Sequence, residues 1–161
     1  MNSRILHLID SLNTTFQGHP WYGDSLMHQL KNIDIQLVNK TLPNSTNSIA
    51  ILIQHLINWR IFVIEKLNKN EAFDIEMNSE ADWKIITLKN QEEWDALLNE
   101  LTATQNQIIE FLNHQKDDTF LEQKTLGKTY TIEFLVEGVI QHDLYHLGQI
   151  GLLKAYFKAS N

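Results

Sequence analysis

Cysteine is absent from the 161-residue chain. Its absence excludes disulfides, thiolate zinc sites and cysteine nucleophiles, so any metal has to rest on His, Asp or Glu. Positive charge is scarce too, with 13 Lys and Arg against 20 Asp and Glu and a formal net charge of −7. There is no block of Lys or Arg to attract a phosphate backbone, and nucleic acid is not an expected partner. Long apolar runs are also missing. The most apolar stretch, Ile49 to Ile64, is interrupted by Gln54, His55, Asn58 and Arg60, which argues against a membrane span. The opening segment, Met1 to Asp10, lacks the basic stretch and long apolar run of a signal peptide. These absences lead to the expectation of a cytoplasmic protein with no membrane partner.

Hydrophobic residues make up 43% of the chain, enough at this length for one domain, residues 1–161, with a sizeable core. No internal repeat or low-complexity tract divides it. Ile5, Leu8, Ile9, Leu12 and Phe16 recur with helical period and predict a first long helix over Ser3 to Phe16. The glycines and proline of Gln17 to Gly23 then form a loop whose aromatics, Trp21 and Tyr22, are expected to fold back onto the body. Asp24 is a candidate cap for a short helix to about Ile35, burying Leu26, Leu30 and Ile33.

A second long helix is expected from about Ser48 to Leu67, capped by Asn47 or Ser48. Leu52, His55, Trp59 and Phe62 share one face, and Ile53, Ile57, Ile61 and Ile64 the opposite one. A helix apolar nearly all round is covered on both sides. Asn68 to Asn90 shows no helical stripe and reads as a long connection. Asn90 and Glu93 form a capping box that opens a third long helix, ending near His114. After an irregular loop or brief hairpin over Asp117 to Tyr130, Thr131 caps a fourth long helix reaching about Phe157. Four amphipathic helices without strands predict an all-α bundle. All three connections exceed the nine to ten or so residues that span a helix of about 30 Å, so loop length leaves the topology open.

The fourth helix carries Gln141-His142-Asp143-Leu144-Tyr145-His146-Leu147-Gly148-Gln149-Ile150. At about 100° per residue, His142 and His146 lie within about 40° of each other, on a stripe shared with Leu135, Val139, Gln149 and Leu153. Two imidazoles projecting from an apolar face are either neutral core histidines or ligands of one metal ion. On the second helix, His55 is the natural candidate for a third ligand, against the alternative of a packed histidine. His7, His19, His28 and His114 read as surface or packing residues. The sequence H-D-x-x-H is one methylene short of the zinc-protease H-E-x-x-H, and the shortened base, in a bundle with no substrate-binding strand, counts against a protease.

Gly138, Gly148 and Gly151 lie inside the same helix, each costing about 1 kcal/mol relative to alanine. Close approach of another backbone would offset that cost. The face of Ile140, Leu144, Leu147, Gly151 and Ala155 and the isoleucine face of the second helix are therefore expected to meet across a homodimer.

The run from His142 to Ile150 resembles the C-terminal signature of the DinB-like, YfiT-type four-helix bundles, H-x-x-x-H-x-G-Q-I. Ser48 to Arg60 resembles the family's other block, a serine-isoleucine helix start followed by a histidine and a tryptophan-arginine pair. Pro20 to Leu26 resembles its loop after the first helix. The resemblance implies an up-down-down-up bundle and a divalent metal, zinc or nickel, held by His55, His142 and His146. Three histidines leave a coordination position open, as in catalytic zinc sites. There a bound water would ionise near neutral pH, or an incoming thiol would lose its proton. Similar family members are described as metal-dependent hydrolases, and others as S-transferases that join low-molecular-weight thiols to electrophiles. The transferase is preferred because a cysteine-free bundle cannot supply its own thiolate; a hydrolase and a non-catalytic stress-response binding protein are the alternatives. The expected partner is a small-molecule substrate.

Two further residues are candidates for catalysis. Asp143 lies about 100° from His142, at the edge of the site, either as an acceptor or base or as a structural aspartate. Gln149 faces the histidines, either orienting a water or substrate or making a core hydrogen bond. Tyr145 and Trp59 are expected to wall the pocket.

Overall fold

Side-chain caps set where the long helices begin. The computed structural model describes residues 2–31 and 33–159. Helix α1 spans Ser3–Phe16, α2 Leu26–Leu30, α3 Ile35–Val38, α4 Ile49–Leu67, α5 Gln91–Asn113 and α6 Ile132–Ala159. The Ser48 hydroxyl accepts from the Ile51 amide at 3.3 Å, and the Asn90 side chain from the Glu93 amide at 2.9 Å. Glu93 in turn accepts from the Lys89 amide, one residue earlier than a strict capping box. Thr131 Oγ1 accepts from the Phe134 amide at the start of α6. Helix α1 is capped from a distance, Asp118 accepting from the amides of Arg4 and Ile5. The only β pairing among the described residues is one bridge between Lys124 and Thr131, and no helix there is long and apolar enough to cross a membrane.

Two apolar clusters fix the direction of each long helix. One gathers Phe16 from the end of α1, Ile49 to Ile57 from the start of α4, Trp94 to Leu101 from the start of α5, and Leu147 to Leu153 from the second half of α6. The other gathers Ile5 to Leu12, Phe62 to Leu67, Ile108 and Leu112, and Ile132 to Val139. Helices α1 and α6 therefore run one way, and α4 and α5 the other. This is the up-down-down-up bundle. Helices α1 and α4 each pack against α5 and α6 and so lie diagonally opposite. Because α4 and α5 are consecutive and parallel, residues 68–90 have to return along the bundle, about 28 Å for a helix of 19 residues. An extended return needs only about nine residues, and the surplus lets the connection fold onto α4.

Between the two clusters the core is polar. Arg60, wholly inaccessible to solvent, forms an ion pair with Asp143 of α6 and donates to Gln105 Oε1 of α5 at 2.7 Å. Its guanidinium also lies 5.1 Å from the Phe16 ring of α1. Phe16, Arg60, Gln105 and Asp143 thus bring all four long helices together at one charged group. Burial pushes the Asp143 carboxyl above its ordinary range, and the Arg60 charge and hydrogen bond oppose that rise.

Two expectations are corrected. Ser25, not Asp24, stands at the N-cap of α2, which stops at Leu30; the extended Lys31 ends it, and Asp34 caps a separate α3. Leu26, Leu30 and Ile33 are nevertheless buried as expected. Trp21 is fully exposed rather than folded back, whereas Tyr22, about half exposed, hydrogen-bonds Thr15 of α1. On the isoleucine face of α4, Ile53 and Ile57 are buried inside the chain in the cluster containing Trp94, Leu97 and Leu101, and Ile61 and Ile64 are half-buried. No backbone approaches the α6 glycines within the chain: a Cβ at Gly138, Gly148 or Gly151 would meet nothing within 4 Å.

Removing one member of a buried pair leaves the other charge unpaired, at a cost of about 3–5 kcal/mol. Asp143→Ala should lose that much in urea denaturation, and adding Arg60→Met should recover much of it. Equal losses in the single and double variants would deny the pair its structural role.

Candidate metal centre

Helix α4 supplies His55, and α6 supplies His142 and His146 one turn apart. His55 and His146 are buried and His142 half-buried. His142 Nε2 lies 2.9 Å from His55 Nε2 and 3.0 Å from His146 Nε2. Each imidazole offers one nitrogen, and the three form a group that could hold a metal ion.

The outer nitrogens are fixed by partners that accept. His55 Nδ1 lies 2.9 Å from the Asp82 carbonyl oxygen and 3.0 Å from Asp82 Oδ1, so it carries the proton and donates. His146 Nδ1 likewise donates to Gln149 Oε1 at 2.7 Å. Both rings therefore turn a bare Nε2 lone pair inward. A proton on His142 Nε2 satisfies only one of these neighbours fully and leaves the other lone pair facing it. A cation at their centre would satisfy all three, so the donor set suits a metal ion.

The same burial keeps the ligands neutral. It lowers the His55 pKa and brings those of His142 and His146 down to about 3 and about 4. For His142 the neighbouring His146 and His55 lower it further, whereas for His146 the Gln149 hydrogen bond opposes the fall. Protons therefore do not compete for these nitrogens near neutral pH.

Asp82 is the residue on which His55 depends, and it lies in the connection that has no periodicity. Its Oδ1 accepts from the Trp59 indole at 2.8 Å and its Oδ2 from the Asn78 amide at 2.7 Å. Asn58 donates to the Ala81 carbonyl at 2.8 Å. His55, Asn58 and Trp59, one turn of α4, thus grip residues 81–82. Trp83 then stacks on His55, centroids 3.8 Å apart and planes 7° from parallel. A carboxylate behind a ligating histidine orients the ring and raises its basicity.

Of the other candidates, Tyr145 and Trp59 line a cavity of about 470 Å³ that opens onto the histidines, together with Gly138 and Trp83. Asp143 does not line it. Although adjacent to His142, its carboxylate is turned inward onto Arg60, which removes it as a base at the histidines. Gln149 holds His146 rather than a water or substrate. His7, His19, His28 and His114 are all exposed.

Residues 22–150 match the family model of the DinB superfamily, a span that contains all three histidines and Asp82. No curated protein and no solved structure matches the chain.

Asp82→Asn should leave the helical content intact and weaken zinc binding by about 10–100-fold, the usual effect of removing a partner behind a metal ligand. Titration against a chromophoric chelator measures it. Unchanged affinity would show that Asp82 does not orient His55.

Proposed function

The chain belongs to the DinB superfamily, and from that premise we propose that it is a metal-dependent enzyme transferring a low-molecular-weight thiol to an electrophilic small molecule, with His55, His142 and His146 as the metal ligands. The observation that carries the reading is the convergence of three neutral imidazoles at the wall of an apolar cavity. A divalent ion bound there supplies Lewis acidity and lowers the pKa of a coordinated thiol. In the transfer, the thiol gives up its S–H proton to solvent and its sulfur forms a bond to the electrophilic carbon. The leaving group departs with the electron pair of the bond that breaks.

The chain's own residues serve this reaction by position. Asp82 and Gln149 orient two of the ligands, Trp83 shields His55, and the apolar walls exclude water that would compete with the thiol. Hydrolysis is the alternative, since a water bound at the ion would ionise without a side-chain base, but no carboxylate at the site is free to assist it. Asp143 is committed to Arg60, and both Asp82 oxygens accept from Trp59 and Asn78.

Metal-loaded protein should accelerate the reaction of cysteine or dithiothreitol with an uncharged aryl halide above the thiol's own rate, followed by absorbance of the thioether. Chelator and His142→Ala should each abolish the acceleration. Ester hydrolysis without any thiol dependence would instead establish the hydrolase, and no acceleration with zinc or nickel would overturn the enzymatic reading.

A further inference from the structure

The cavity beside the histidines is built for one kind of molecule. Its volume of about 470 Å³ falls within the range of small-molecule sites, roughly fifteen waters' share of liquid volume. No Lys or Arg lines it. Its one carboxylate, Asp82, is occupied on both oxygens. In the metal-free protein an anion entering would meet no cationic side chain in the wall, since the nearest ammonium groups, Lys66 and Lys128 over the Phe62 ring, are bonded to the Glu71 carbonyl and to Asp74. A cation would meet a carboxylate already bonded. Burying a charge without a partner is too costly to be offset by apolar contact.

The walls favour an apolar, flat body. Trp59, Phe62 and Val63 of α4 face Leu135 and Val139 of α6 across the cavity, with Trp83 at the histidine end. Met77, Phe134 and Tyr145, three of the large apolar side chains most exposed to solvent, also line it. Gly138, one turn before His142, is part of the lining, and a Cβ there would meet no atom within 4 Å. A side chain at this position would grow into open space one turn from the site.

We propose that this cavity binds an uncharged, apolar aromatic molecule, whose polar reacting end reaches the three Nε2 atoms. The assignment of a reacting end rests on the reading of the histidines given above, and it makes this molecule the electrophile rather than a charged thiol.

The test uses two fluorescent probes that share one aromatic body, the uncharged N-phenyl-1-naphthylamine and its sulfonated counterpart 8-anilino-1-naphthalenesulfonate. The uncharged probe should bind once per chain, and the sulfonated probe at least roughly tenfold more weakly. Gly138→Phe, which fills the cavity, should abolish binding of the uncharged probe. Met77→Arg, at an exposed position where folding is not at stake, should shift the preference towards the sulfonate. Equal binding of the two probes to the native chain, or binding of the uncharged probe unaltered by either substitution, would overturn the proposal. Because the readout needs neither metal nor thiol, a positive probe result with a failed transfer assay would sink the transferase and leave the cavity assignment standing.

Discussion

A single buried guanidinium holds the bundle in register. Arg60 sits where the two apolar clusters meet, with α6 bound through Asp143, α5 through Gln105 and α1 through the Phe16 ring. A charge so placed cannot tolerate a sliding neighbour, since any shift that separates Arg60 from Asp143 leaves two desolvated ions unpaired. Hydrophobic contacts between α4 and α6 would accept several registers at similar cost. The ion pair accepts one, and in that register His55 stands opposite His142 and His146.

The pair also decides which way the adjacent residues face. With Asp143 turned into the core, His142, about 100° round the helix, faces the cavity. The structural and functional halves of the motif are thus consecutive residues on different faces of one turn. Around the histidines the local rules of stability are set aside. Three imidazole nitrogens crowd together, two of them as bare acceptors, and burial lowers all three pKa values. Such conflicts concentrate at functional sites and are offset by the consistency of the rest of the fold.

Much of this was legible in the sequence because it follows from periodicity and caps. The long helices begin where Ser48, Asn90 and Thr131 place hydrogen-bond acceptors, and the i,i+4 spacing brings His142 and His146 together on any helix. His55 could be matched to them because it too lies on an apolar face. What could not be read depends on the path of the chain. Asp82 and Trp83 belong to a connection with no repeating pattern, and only its return between two parallel helices carries them to His55. Loop lengths permitted several topologies, and only the family resemblance pointed to the up-down-down-up order that the shared clusters then establish. The wheel placed Asp143 at the right angle from His142, but not the buried Arg60 that claims its carboxylate. The α6 glycines suggested a neighbouring backbone, whereas inside the chain they face open space, Gly138 into the cavity.

The central claim is that the Nε2 atoms of His55, His142 and His146 form one metal site. Nitrogen-15 NMR of the imidazole side chains during zinc titration tests it most directly. The account predicts saturation at about one ion per chain, with the Nε2 resonances of those three histidines moving together and the Nδ1 of His55 and His146 staying protonated. Shifts confined to the exposed histidines, or no saturable change in the three, would contradict it.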